Sequence, residues 1–427
     1  MSAHALTLPD VPTIARVALA LSLIAGGVSL ARLDQGFAEL GVFGEARTVG
    51  LLVIGTLAIL SRGARHFENQ GASQTGWLTG VVLLHGWVLA SWAWSDRTAT
   101  TADQATELVL TVAALLVTAW TCQGAAQAAL RTIFWAFYVL ASGLVMLSLA
   151  IAGGPVGDFQ LLGAGGIGTA RTFCMGVLAA WWIARDTGRK VWLVPVPLMI
   201  VGAVLSGSRA AVLALAVAAV AMAVLGGQRK VARRRLSAIS AAAVALGLAT
   251  IATFPWIREA GGVWVRLLLN PNVQASSSRG IYLADRDVIF ADALSQFASY
   301  PLLGRGIGSY VGPFGELYPH NLLLSFGVDA GVLALGGSIA LLAIGFLKVA
   351  SFDRSRSQLA CVGAVFFFVT SMFAGSYYDA RFLWIFLLLG ALDSARKTGI
   401  QGSLVLGRTM VVPQKLAREQ ADRVVGS

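Results

Sequence analysis

The chain has 427 residues, of which 57% are hydrophobic and only 12% are charged, and its mean hydropathy is +0.74. Soluble proteins are about 45–50% apolar and about 25% charged. A soluble core could not bury this much apolar sequence, so the composition excludes a soluble globular protein. We therefore expect an all-α polytopic membrane protein.

Hydropathy along the chain predicts about twelve membrane spans. Residues 1–254 contain the first nine, residues 255–320 form one long loop, residues 321–395 contain the last three, and residues 396–427 form a basic tail. The predicted spans lie near residues 13–31, 46–60, 77–94, 105–122, 132–152, 172–184, 191–205, 209–226, 236–254, 321–348, 357–375 and 380–395.

The net charge of +11 is explained by the position of the basic residues relative to the predicted spans. If the amino terminus is cytoplasmic, the clusters Arg229–Arg235 and Arg354–Arg356 lie on the inner side, as does the tail. This asymmetry is the positive-inside pattern of membrane proteins. It predicts cytoplasmic termini and a long loop on the outer face. Because the basicity reports orientation, we expect no nucleic-acid partner.

The long loop contains a predicted amphipathic helix that ends at Pro301. Its apolar positions recur with helical spacing, at Val288 or Ile289 and then at Ala293, Leu294 and Phe297. We expect this helix to act as a lid on the outer ends of the spans.

His320 stands at the head of the tenth span, between Pro319 and Asn321. Unpaired N–H groups and the dipole at a helix amino terminus disfavour imidazolium. A neutral ring suits a general base or a hydrogen-bond acceptor, and Asn321 is expected to cap the helix. The alternative is an interfacial histidine with no chemical role.

Two arginines are predicted to bind a phosphate. Arg209 opens the eighth span, where its guanidinium and the helix N–H groups suit an anion. Arg286 lies on the predicted lid helix, and Arg279 and Arg305 are weaker candidates in the same loop. The alternative for Arg209 is an arginine that reaches to lipid headgroups.

The Asp285–Arg286–Asp287 triplet resembles a metal-binding Asp-x-Asp motif. Two residues apart on a helix, however, the carboxylates point about 200° from each other. We therefore expect no metal site and no cofactor. Two other acidic positions are noted: Asp379, with Arg381 in the turn between the last two spans, and Asp329 inside the tenth span.

Three stretches in this order resemble the O-antigen ligase and polymerase superfamily of bacterial membrane glycosyltransferases. They are SGSRAAVLAL around Arg209, RDVIFADALSQFASYPLLGRGIG from Arg286, and HNLLLSFGVDAG from His320. A tryptophan is usual in that family where this chain has Phe290. The resemblance covers roughly residues 10–395.

The resemblance implies a fold similar to the GT-C glycosyltransferases, in the bacterial inner membrane, with a periplasmic active site. It implies metal-independent, inverting transfer from an undecaprenyl-diphosphate-linked glycan to an acceptor hydroxyl. Arg209 and Arg286 would bind the diphosphate, with Arg279 as a further candidate. His320 would act on the acceptor hydroxyl or assist at the diphosphate, and Asn321, Asp379 and Arg381 would support the site.

Three functions stay open within this interpretation. The single long loop favours a ligase that transfers glycan to lipid A core. The alternative is a polymerase that extends a growing glycan. A transporter or flippase for lipid-linked sugars is the third, and it predicts intramembrane charges around a midplane cavity. Membrane lipids are expected partners in each case.

Overall fold

The structure, a computed structural model, describes residues 16–20, 72–96, 101–122, 124–151, 166–206, 208–225, 286–350 and 358–393. All regular secondary structure in these ranges is helical. After a short helical segment at residues 16–20, the helices are α1 (Ala72–Ala90), α2 (Thr101–Cys122), α3 (Ala126–Ile151), α4 (Gly166–Thr187), α5 (Val196–Leu205), α6 (Arg209–Leu225), α7 (Arg286–Ser299), α8 (Leu322–Ala350), α9 (Gln358–Ala374) and α10 (residues 381–393).

Five helical segments in the described ranges are long and apolar enough to cross a membrane. They are Gly76–Trp94, Thr101–Cys122, Ala126–Leu147, Ile167–Thr187 and Leu322–Ala350. The all-α class is therefore confirmed, whereas the total of twelve spans and the periplasmic loop stay predictions. The spans predicted near 46–60 and 236–254, and most of the one near 13–31, lie outside the described residues.

The helices pack mainly as neighbouring pairs. Helix α4 packs against α3, α5 and α6, helix α6 packs along α9, and α1 packs along α8. Close approach depends on small residues, as is usual between membrane helices. A Cβ at Gly363 of α9, for example, would overlap the ring of Phe386 on α10. Aromatic rings pack where α9 meets α10, and Phe367 stacks on Phe382 with ring centroids 4.8 Å apart.

Helix α8 is interrupted at Gly331, which has φ 76° and ψ −168°. Only glycine adopts this backbone conformation without strain. A Cβ here would also collide with the backbone of Leu302. The interruption lets the N–H of Val332 donate to the carbonyl of Pro301 at 2.8 Å. The predicted tenth span is thus two helical segments, with the loop after α7 packed at the break.

Helix α7 is the predicted lid, and it packs against the amino-terminal half of α8. Its buried residues Ile289 and Ala293 contact Val328 and Tyr310. The expectation that Leu294 lies on this buried face is wrong, because Leu294 is 52% exposed. The helical repeat explains the difference: residues four apart share a face with Ile289, and Leu294 is five positions away.

Arg305 joins the carboxyl end of α7 to the end of α1. Its guanidinium donates to Gln296 Oε1 at 2.8 Å and to Asp96 Oδ2 at 2.9 Å. Its backbone N–H also donates to the carbonyl of Val328 at 2.8 Å. The structure therefore places Arg305, a weak candidate for phosphate binding, in contacts that hold the lid.

Candidate functional site

The site residues lie at the amino-terminal ends of several helices. Arg209 and Arg286 are the first residues of α6 and α7, and Arg381 begins α10. His320 precedes α8 by two positions, and Arg171 lies in the second turn of α4. Exposed N–H groups and the helix dipole make such ends favourable for anions.

His320 has an unusual backbone conformation, with φ 54°. A left-handed conformation costs a non-glycine residue about 1–3 kcal/mol and persists only where the surroundings enforce it. Asn321 supplies part of that enforcement. Its Oδ1 accepts the N–H groups of Leu323 and Leu324 at 3.0 Å, and its Nδ2 donates to the carbonyl of Met372 at 3.0 Å. Asn321 is thus the N-cap of α8 and ties it to α9.

The imidazole of His320 is neutral at pH 7. Burial, and secondarily the positive charge of Arg286, lower its pKa from 6.5 to about 4. We predicted a neutral ring from the helix dipole with His320 in the first turn. The helix instead begins after Asn321, and desolvation is the larger cause. Nδ1 of this ring is buried and has no hydrogen-bond partner among the described residues.

Arg286 carries a partly desolvated positive charge that lacks a complete set of partners. Burial lowers the pKa of its guanidinium; Tyr318 and Glu316 oppose that change, and nearby Arg209 adds to it. Nη1 of Arg286 is buried with no hydrogen-bond partner in the part of the chain described. A buried cationic donor in this condition is stabilised by an anion.

Tyr318 connects two groups of charged residues. Its ring lies on the imidazole of His320, with centroids 4.2 Å apart and an interplanar angle of 57°. Burial, then the charge of Asp379, raises the pKa of its hydroxyl, while Arg171 and Arg286 act in the opposite direction. Tyr318 therefore stays protonated and lies close to both clusters.

Arg171 is the site residue that the sequence analysis missed. Its guanidinium forms an ion pair with Asp379 Oδ2 and donates to the carbonyl of Ala374 at 3.2 Å. Its side chain is only 11% exposed. We placed the start of this span at residue 172, whereas α4 begins at Gly166. With the longer helix, Arg171 becomes an arginine inside a span, which is by default a functional candidate.

Asp379 lies between two arginines. Besides its pairing with Arg171, its Oδ1 is 3.8 Å from Arg381 Nη1. Arg381 is buried, and its guanidinium lies 5.3 Å from the ring centroid of Phe382. The charge of Asp379 is thus balanced on both sides. This pairing fits a residue that positions the arginines better than it fits a free base.

Asp329 has a structural environment. Its Oδ2 accepts the hydroxyl of Tyr377 at 2.6 Å and the N–H of Gly308 at 3.4 Å. Its carbonyl accepts the N–H of Gly306 at 2.8 Å. These bonds hold the loop that follows α7 onto α8. Arg279, the remaining predicted phosphate ligand, lies outside the described residues.

The fold and the site together define a class of protein. It is a helical membrane protein in which arginines and a neutral histidine gather at helix amino termini beside a lid helix.

Comparison with known families agrees with this class. Residues 194–339 match the family described as O-antigen ligase, and the match includes Arg209, Arg286 and His320. The similarity to the O-antigen ligase superfamily that the motifs indicate is therefore confirmed. Together with the apolar helices, the match indicates an inner-membrane protein. A search of curated proteins finds no match to this chain.

Proposed function

We propose that this protein is a metal-independent, inverting glycosyltransferase. It moves an undecaprenyl-diphosphate-linked glycan to an acceptor hydroxyl at the periplasmic face. The acceptor that we favour is lipid A core, which makes the protein an O-antigen ligase. The family match supports ligase or polymerase function in general, and our preference for the ligase rests on the single long loop.

One observation carries the proposal. The Nη1 atom of Arg286 and the Nδ1 atom of His320 are both buried and lack partners among the described residues, and the two side chains interact electrostatically. Arg209 adds a second positive charge. A diphosphate matches this environment, because its oxygens accept bidentate hydrogen bonds from guanidinium groups.

The arginines supply the charge stabilisation that the reaction requires. As the bond between the anomeric carbon and the diphosphate oxygen breaks, negative charge develops on the leaving group. Arg209 and Arg286 stabilise that charge, a task that a divalent cation performs in other glycosyltransferases. Attack from the opposite side of the sugar inverts the anomeric carbon, and undecaprenyl diphosphate departs.

His320 receives the proton of the acceptor hydroxyl or accepts its hydrogen bond. With a pKa of about 4 in the free protein, the imidazole is a weak base. A bound diphosphate offsets the positive charge of Arg286, and this charge is one of the two causes that lower the pKa of His320. Through this electrostatic effect, donor binding would raise the basicity of His320 when the acceptor arrives.

The test is transfer by the purified protein in lipid nanodiscs with an undecaprenyl-diphosphate-linked glycan and a chelator. One reaction contains lipid A core and another contains donor alone. The variants are His320→Ala, Arg286→Gln and Arg209→Gln. The matched control is Arg131→Gln, because Arg131 has a 59% exposed side chain in an ion pair with Asp186 outside the site.

Transfer to lipid A core with chelator present, lost in the three site variants and kept in the control, supports the ligase. A ladder from donor alone identifies a polymerase instead. Donor binding without transfer in either reaction contradicts an enzyme and favours a transporter. Unchanged transfer by His320→Ala contradicts the proposed role of the imidazole.

A further inference from the structure

Helix α8 is too long for a simple membrane span. Its 29 residues extend about 43 Å at a rise of 1.5 Å per residue, whereas the hydrocarbon core is about 30 Å thick. The interruption at Gly331 divides this length. The segment from Gly331 to Lys348, which lies in the last turn, is about 26 Å long. A glycine break and a lysine therefore bracket a segment that matches the membrane.

Tryptophans mark the same boundary independently. The candidate span Gly76–Trp94 contains Trp87, Trp92 and Trp94 near its end. The indole N–H of Trp87 donates to the carbonyl of Ala330 at 3.0 Å, and that of Trp94 donates to the carbonyl of Leu303 at 3.2 Å. Tryptophans concentrate where membrane meets water. The α8 break and the turn that packs on it therefore lie at that level.

The turn at this level presents apolar side chains outward. Leu302 is 70% exposed and Leu303 is 50% exposed, and on α8 beyond the break Val332 is 44% and Leu333 is 65% exposed. Because the Pro301 carbonyl accepts the N–H of Val332, the leucine turn continues the apolar surface of α8. Exposed leucines on such a surface are stabilised by lipid.

We propose that the turn Pro301–Leu303 inserts into the lipid bilayer at the amino-terminal boundary of the α8 span. This insertion holds the carboxyl end of lid helix α7 at the membrane surface. Polar contacts begin just beyond the turn, because Arg305, three residues after Leu302, donates hydrogen bonds to Asp96 and Gln296. An apolar turn followed at once by polar contacts is expected where a segment reaches the membrane interface but does not cross it.

The test measures depth and does not depend on enzymatic activity. Cys122, Cys174 and Cys361 are replaced by alanine, and a nitroxide label is attached to a single cysteine at position 302 or 303. The labelled protein is placed in nanodiscs that hold one chain each. Leu333→Cys is the membrane control and Ser295→Cys, on the exposed side of α7, is the aqueous control. Collision rates with oxygen and with a water-soluble nickel chelate are recorded.

Because oxygen concentrates in hydrocarbon and the polar chelate is excluded, we expect oxygen-to-chelate collision ratios at 302 and 303 about tenfold above that at 295. The ratios should approach the value at 333. Ratios equal to that at 295 overturn the proposal. Low collision rates with both reagents also overturn it, because they mean that protein covers the turn. Loss of transferase activity leaves these readings unaffected.

Discussion

At the scale of single residues, we expect the basicity of His320 to change when the proposed diphosphate binds beside it. The free imidazole is neutral because of burial and the positive charge of Arg286. A base must be deprotonated to act, so activity falls when the pH drops through its pKa. The pKa of about 4 applies to the free protein. Under the proposed function, a bound diphosphate would raise it by offsetting the arginine charge.

This difference predicts two pH profiles. The value of kcat/KM reports the free enzyme, so His320 should produce its decline only near pH 4. The value of kcat reports the donor complex, and its acidic decline should begin at a higher pH. Steady-state assays from pH 3 to 8 with the native protein measure both. If kcat and kcat/KM decline at the same acidic pH, the proposed effect of the diphosphate on His320 is contradicted.

The ring of Tyr318 is predicted to position His320. Tyr318→Phe preserves the ring contact at 4.2 Å, so kcat should stay within about threefold, whereas Tyr318→Leu should lower kcat by about 10–100-fold through misorientation of the imidazole. KM for the donor should change little in either variant. Equal losses in the two variants contradict the role of the ring and assign the effect to the hydroxyl.

At the scale of elements, the break in α8 is necessary for the lid to pack. The loop after α7 reaches α8 through hydrogen bonds to Val328, Asp329 and Val332. A continuous helix would use the N–H of Val332 internally. At the break, the N–H of Val332 instead bonds to the loop that follows α7. The lid is therefore attached to the tenth predicted span.

Gly331→Ala should therefore destabilise the protein by about 2–4 kcal/mol, through the left-handed backbone and the clash with Leu302. The matched control is Gly336→Ala on the same helix, where a Cβ meets no atom within 4 Å. That change should be neutral or stabilising by up to about 1 kcal/mol. Thermal unfolding in detergent compares the variants. A similar effect of both substitutions contradicts the requirement for glycine at 331.

At the scale of the whole molecule, residues far apart in sequence form one cationic site because several helices begin at the same end of the bundle. The ion pair of Arg171 with Asp379 joins distant segments, and Arg286 and Arg209 lie close enough for their positive charges to interact. The ring of His320 contacts Tyr318, and Asp379, Arg171 and Arg286 all interact electrostatically with its hydroxyl. Their common location implies a common side of the membrane for these helix ends.

The positive-inside pattern predicts that this common side is periplasmic. In a cysteine-free background, Phe314→Cys, which is 61% exposed near the site, should react with a membrane-impermeant maleimide in spheroplasts. Lys190→Cys, exposed in the turn after α4, should react only after lysis. The reverse labelling pattern contradicts the predicted orientation and places the site in the cytoplasm.

Hydropathy predicts the class of protein and most helix positions, because apolar runs of membrane length admit only helices where backbone groups lack water. Predicted spans near 209–226 and 357–375 correspond to α6 and α9 within two residues. The motifs around Arg209, Arg286 and His320 likewise pointed to the O-antigen ligase superfamily, since local order and spacing are readable along one chain.

Which charged residues come into contact depends on how the helices pack. Arg171 lies 208 positions from Asp379, and no local pattern encodes such a pairing. The break at Gly331 and the ring contact between Tyr318 and His320 depend on packing between segments, because a glycine in an apolar helix reads the same whether or not a loop approaches it. Burial, which sets the basicity of His320, exists only once the helices and the lid surround it.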